Sequence, residues 1–305
     1  MQNSNTEGVI ILIVLIAIVF FLPKGSSDST SNFFSGNKNS NSSQSNTGGT
    51  VKPDSLYAKN ISISTGNASY AKQSYEEYIT INNRGRENID ITNWQLRNGK
   101  DQRAYDLNGS LRYFAADIAI IPKATLFISP TGFNNFQNVV LKPGEKAIIT
   151  TGNIGSQLPY KIVSFKENIC SGYIENLPEY KFTPALTHNC PRPANEIGVT
   201  SLDTECRKFI EKMSSCHTPK FDTRDSEGNI CSNCVDGKLL SSSCVAFIKN
   251  HFNYNSCIAN HVNDPNFSSK TWRIFLNKGW EMWAKEYEII KLFDQLGRLV
   301  IEKAY

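Results

Sequence analysis

From Tyr75 onward, apolar and polar residues alternate in short runs separated by turn residues, the period of half-buried β-strands. Tyr78-Ile79-Thr80-Ile81 is the first such run, and Asn82-Asn83-Arg84-Gly85 supplies turn chemistry after it. Ile89 to Leu96 predicts a second strand with Ile89, Ile91 and Leu96 on its inward face, ended by the hairpin-type turn Asn98-Gly99. Further strands are expected at Ile118–Ile121, Ala124–Ile128 and Lys146–Thr151, the last following the turn in Leu141-Lys142-Pro143-Gly144-Glu145. The pattern returns at Trp272–Leu276, then at Tyr287–Phe293 and Arg298–Tyr305, which read as a closing hairpin about Asp294-Gln295-Leu296-Gly297. Between these stretches the period becomes helical. Cys206, Phe209, Ile210 and Met213 share one helical face, and Cys244, Phe247, Ile248 and His251 repeat those offsets. Asp203-Thr204 and Ser241-Ser242-Ser243 are suited to cap the two helices.

The N-terminus has a different pattern. Gly8 to Leu22 is apolar without a break, which predicts a membrane anchor over residues 1–24 and a membrane contact through residues 8–22. The alternative is a removed signal peptide, with Gly25-Ser26-Ser27 as its cleavage region. Lys24 follows the run and no Lys or Arg precedes it, which nominally favours a cytoplasmic C-terminal side; large domains translocate largely regardless of charge. Residues 25–54, rich in Ser, Asn, Gly and Thr, are expected to form a disordered linker.

All eight cysteines lie between Cys170 and Cys257, in the stretch 166–270. Even number and clustering predict a disulfide framework in an oxidising compartment, so the folded part is expected outside the cytoplasm. The repeat Cys-x-x-Phe-Ile, each copy ending in Ser-Cys, predicts two antiparallel helices clamped by Cys206–Cys257 and Cys216–Cys244. Cys170, Cys190, Cys231 and Cys234 are then expected to pair among themselves. Two competing readings concern Cys231-Ser232-Asn233-Cys234: a zinc site with the nearby Cys216-His217, or a redox-active pair, which lacks the βαβ context of such motifs.

Three stretches resemble the lamin-tail family. EEYITINNRGRENIDITNWQL (Glu76 to Leu96) is similar to its opening strands and Trp-x-Leu, and LKPGEKAIIT (Leu141 to Thr150) to its Pro-Gly turn and following strand. EIIKLFDQLGRLVIEKAY resembles the family's last hairpin, with Ile301 where many members carry Asp. The resemblance implies a mainly β, immunoglobulin-like sandwich made of residues 55–165 and 271–305, interrupted by a cysteine-rich, partly helical insert at 166–270. Trp94 is expected in its core.

Composition narrows the function classes. The chain has 305 residues and a formal charge of +4 from 32 basic and 28 acidic residues, with no basic stripe, so specific nucleic-acid binding is not expected. No G-x-S-x-G, H-E-x-x-H or phosphate-loop pattern occurs, and all four histidines (His188, His217, His251, His261) fall in the insert. The expected function is a membrane-anchored, extracytoplasmic, non-catalytic binding or adhesion module with no cofactor and no metal. Its partner would be a protein or cell-wall ligand, with Trp280 and Trp283 as the candidate surface. Alternatives are a structural cell-envelope protein or, behind both, a small hydrolase or nuclease accessory.

Overall fold

A computed structural model describes residues 54–100, 104–155 and 159–305. The expected anchor, and all but Asp54 of the expected linker, lie outside the described residues. Among the described residues no helix is long and apolar enough to cross a membrane.

The chain is mainly β. In order it forms β1 (Ile61–Ser64), β2 (Tyr78–Asn83), β3 (Ile89–Asp90), β4 (Gln95–Arg97), β5 (Ala104–Leu107), β6 (Ser110–Tyr113), β7 (Ile118–Ile120), β8 (Val140–Leu141), β9 (Lys146–Thr150) and β10 (Phe165–Asn168). The cysteine-rich stretch adds α1 (Ser171–Glu175), α2 (Thr204–Lys212), β11 (Phe221–Arg224), β12 (Ile230–Val235), β13 (Lys238–Leu239), α3 (Ser242–Lys249) and α4 (Tyr254–His261). The chain closes with β14 (Ser268–Phe275), β15 (Ile289–Phe293) and β16 (Leu299–Ala304).

A five-stranded sheet of order β1-β2-β9-β14-β10 and a four-stranded sheet of order β16-β15-β4-β7 share one apolar core. Ile79, Ile81, Ala147, Ile149, Trp272 and Ile274 enter it from the first sheet, and Leu96, Ala119, Ile290, Leu292 and Val300 from the second. Trp94, 1% exposed, is part of that core. Strand β14 runs parallel to β9, with Thr271 opposite Lys146 and Phe275 opposite Thr150, and antiparallel to β10 on its other side. The late strand therefore occupies an interior position in the first sheet.

Two expected strands come out differently. Ile89–Leu96 is broken, because Asp90 Oδ1 accepts from Thr92 N at 2.9 Å and Asn93 takes a positive φ of 64°. The break makes a corner: β3 pairs with β8, and β4 joins the four-stranded sheet. Ala124–Ile128 forms only single bridges, Ala124 to Gln137 and Thr125 to Phe165.

The cysteine-rich stretch packs on the outer face of the first sheet. Along β14, Trp272 and Ile274 point into the shared core while Phe275 enters a second cluster with Phe165, Tyr173, Tyr254 and Ile258. Arg273, also on that outer side, pairs with Glu167 and donates to the carbonyls of Pro184 and Ala185 at 2.6 and 2.7 Å. A third, smaller cluster joins α2, α3 and β12 through Ile210, Val235, Val245 and Ile248.

All eight cysteines are in disulfides: Cys170–Cys257, Cys190–Cys216, Cys206–Cys244 and Cys231–Cys234. The expected caps form, with Asp203 accepting from Cys206 N and Ser241 from Cys244 N. The expected clamp, Cys206–Cys257 with Cys216–Cys244, does not. It required each repeat to be one continuous helix, but α2 ends at Lys212 and Cys216 sits beyond it at φ 62°. Likewise α3 ends at Lys249, and Asn253 caps a new helix, α4, that carries Cys257. The two capped ends meet instead: Ser241 Oγ donates to Asp203 Oδ2 at 2.6 Å, which sets Cys206 against Cys244. Of the other four, Cys231 and Cys234 pair with each other, while Cys170 and Cys190 take the two displaced partners, Cys257 and Cys216. The zinc reading of Cys231 and Cys234 is replaced by their mutual bridge.

Candidate binding cleft

Three loops meet at one end of the five-stranded sheet. The first leaves β7 through Pro122-Lys123 and includes Phe136; the second contributes Asn153, Gly155 and Lys161 to Ser164; the third leaves β14 through Phe275 and Asn277. They enclose a cleft of about 350 Å³.

Its walls are fixed by hydrogen bonds made before any ligand arrives. Ser164 Oγ accepts from Phe275 N at 3.0 Å, and the Ser164 carbonyl accepts from Thr125 N at 2.9 Å. Asn153 Nδ2 donates to Asn277 Oδ1 at 3.0 Å, while Asn153 Oδ1 accepts from Gly155 N at 2.8 Å. Gly155 (φ 84°) and Asn277 (φ 56°) both adopt the left-handed backbone that lets these loops turn toward each other. Leu276 N and Lys278 N then tie the third loop to the carbonyls of Thr150 and Thr151, each at 2.9 Å.

The lining divides into two kinds of surface. Phe275 and Ile162 are buried and give an apolar floor, and Phe136, 48% exposed, stands at the rim. Lys123 and Lys161 are exposed on the lining, and neither has an ion-pair partner among the described residues. Among the described residues no Asp, Glu, His or Cys lines the cleft, and Ser164 Oγ accepts from a backbone N–H. Such a set can hold a molecule by charge, amide hydrogen bonds and ring contact.

The sequence-derived surface pair splits. Trp280 is 57% exposed, with Lys278 Nζ 5.9 Å from its ring centre and donating to the Ile118 carbonyl at 2.7 Å. Trp283 is 4% exposed and packs in the shared core, so it offers no surface. The cause is Glu77, whose carboxylate accepts from Met282 N at 2.7 Å and Trp283 N at 3.2 Å and turns both side chains inward. Burial, opposed by those hydrogen bonds, holds the Glu77 pKa above the usual carboxylate range.

The histidines are dispersed. His217 Nε2 meets Asp236 Oδ2 at 2.8 Å beside a groove of about 430 Å³ lined also by Phe209, Met213 and Lys238. His251 stacks on Phe247 with centres 3.8 Å apart. His261 bridges Asp264 at 2.7 Å and Glu196 at 3.0 Å. Among the described residues no group of three His, Cys, Asp or Glu is placed to hold a metal ion.

Phe136, Lys123, Lys161, Asn153 and Asn277 carried no signal in the sequence. They lie in three loops whose meeting depends on the placement of β14. Compared with known proteins, the chain matches no family model and no curated protein.

Proposed function

We propose that the chain is an extracytoplasmic binding module, tethered by its apolar N-terminus, whose cleft takes an anionic ligand bearing a ring or other flat apolar portion. The observation that carries this reading is the pairing of an aromatic rim with two lysines that have no acidic partner among the described residues, which place no carboxylate on the lining. An unpaired lysine favours a negative group without fixing its geometry, and an exposed phenyl ring covers a sugar or ring face. An acidic sugar of an envelope polymer has both features. Four disulfides support an oxidising location, and two sheets about one core support the immunoglobulin-like, lamin-tail reading of the scaffold.

The test is calorimetric titration of the described domain with a uronic-acid oligosaccharide at low and moderate salt. Binding is expected to weaken with salt, and Lys123→Ala with Lys161→Ala should lower affinity about tenfold or more while leaving the circular dichroism unchanged. Absence of binding by the parent protein, or equal binding by the double variant, rejects this ligand class for the cleft.

A further inference from the structure

The Cys231–Cys234 bridge differs from the other three in sequence span and in packing, though not in exposure, since Cys190 is as exposed as Cys231. Its sequence separation is 3, against 87, 26 and 38 for the others. A bridge closing so short a ring constrains the unfolded chain least and so contributes least to stability. Cysteines of the other three bridges belong to the buried clusters beneath the first sheet and between α2 and α3, whereas Cys231 and Cys234 belong to neither. Cys231 is 8% exposed between Ile230, 88% exposed, and the exposed Ser232.

The backbone around the bridge is a closed bulge. In the β11–β12 ladder Asp222 faces Cys234 and Arg224 faces Ile230, so two steps along β11 correspond to four along β12. The surplus residues of β12 are the ones the disulfide ring gathers in. Opening the bridge frees that surplus without releasing a long-range tie, because β12 stays paired to β13 at Cys234–Leu239 and Val235–Lys238.

We propose that Cys231–Cys234 is a thiol–disulfide exchange site that takes two electrons from a small dithiol or a partner's dithiol, the other three bridges remaining closed. A thiolate of the dithiol attacks the Sγ of Cys231, the more exposed of the two residues at 8% against 2%, and Cys234 leaves as thiolate. The reagent's second thiolate then attacks the reagent's own sulfur in the mixed disulfide and releases the Cys231 thiolate. The dithiol ends as a cyclic disulfide, and its two protons pass to the two cysteines. Bridges of small structural contribution and partial access are the ones with exchange-prone potentials.

The experiment exposes the folded domain to graded dithiothreitol, quenches by alkylation and maps the bridges by peptide mass spectrometry. Cys231 and Cys234 should become labelled at dithiothreitol concentrations about tenfold or more below those that open any other bridge, and oxidised dithiothreitol should close them again. The variant C231S/C234S should keep the melting behaviour of the parent, and C234S should form a stoichiometric mixed disulfide with an aromatic disulfide reagent at Cys231. Simultaneous opening of all four bridges, prior opening of Cys206–Cys244, or loss of folding in C231S/C234S would overturn the proposal.

Discussion

Gly172 shows how closely a single position can be constrained here. A Cβ at this residue would lie 2.3 Å from Cys216 Sγ and 3.1 Å from Cys190 Sγ, so α1 can pass under the Cys190–Cys216 bridge only without a side chain. The obstruction is a cross-linked sulfur with little freedom to yield. Gly172→Ala is therefore expected to destabilise the domain by about 1–3 kcal/mol, read as a lower denaturant midpoint at unchanged m-value. His261 makes a different kind of tie, between α4 and the turn at Pro193–Asn195 that ends in Glu196. Burial works against its protonation, but hydrogen bonds with Asp264 and Glu196 outweigh burial and raise its pKa above the ordinary 6.5. A raised folded-state pKa means stability that is fully present below the unfolded value and is lost as pH rises through the folded one. Melting temperature should accordingly fall as pH is raised from just below 6.5 into the alkaline range, and His261→Gln should remove that part of the slope. An identical slope in the variant would assign it to other groups.

Among the elements, those with local causes were legible in the sequence. Alternation marked β2 and the β15–β16 hairpin, a Pro-Gly turn before a β-branched run marked β9, and the side-chain caps Asp203 and Ser241 marked α2 and α3. What could not be read depended on partners far along the chain. The break at Asn93 follows from an Asp90 turn that apolar alternation through Ile91 conceals. The bridge partners of Cys216 and Cys257 depended on where two helices stop, and equal spacing of the repeat suggested continuity that the polar Asn250–Asn253 segment interrupts. The cleft was invisible for the same reason, since Lys123, Lys161 and Asn277 meet only through tertiary structure. Of the two tryptophans singled out, the buried carboxylate of Glu77 decides which one faces inward, and that residue is distant in sequence from both.

For the molecule as a whole, the described residues form one compact unit, and the strands on either side of the cysteine-rich stretch share one core. Removing residues 271–305 deletes most of β14 together with β15 and β16, leaving β9 without its parallel neighbour and β4 without β15. A fragment of residues 55–165 is expected to show no cooperative thermal transition and to bind a dye for exposed apolar surface. A sharp melt from that fragment would show that the early strands close a core alone. The interior position of β14 also sets a timetable. Thr271 pairs with Lys146 roughly 125 residues behind it, so a ribosome adding about 5–20 residues per second leaves the β9 edge open on the order of ten seconds. Within that interval all eight cysteines are added to the chain before the first sheet has closed. The yield of folded protein should therefore depend on whatever shields that edge while the chain is being made, more than on the stability of the finished domain.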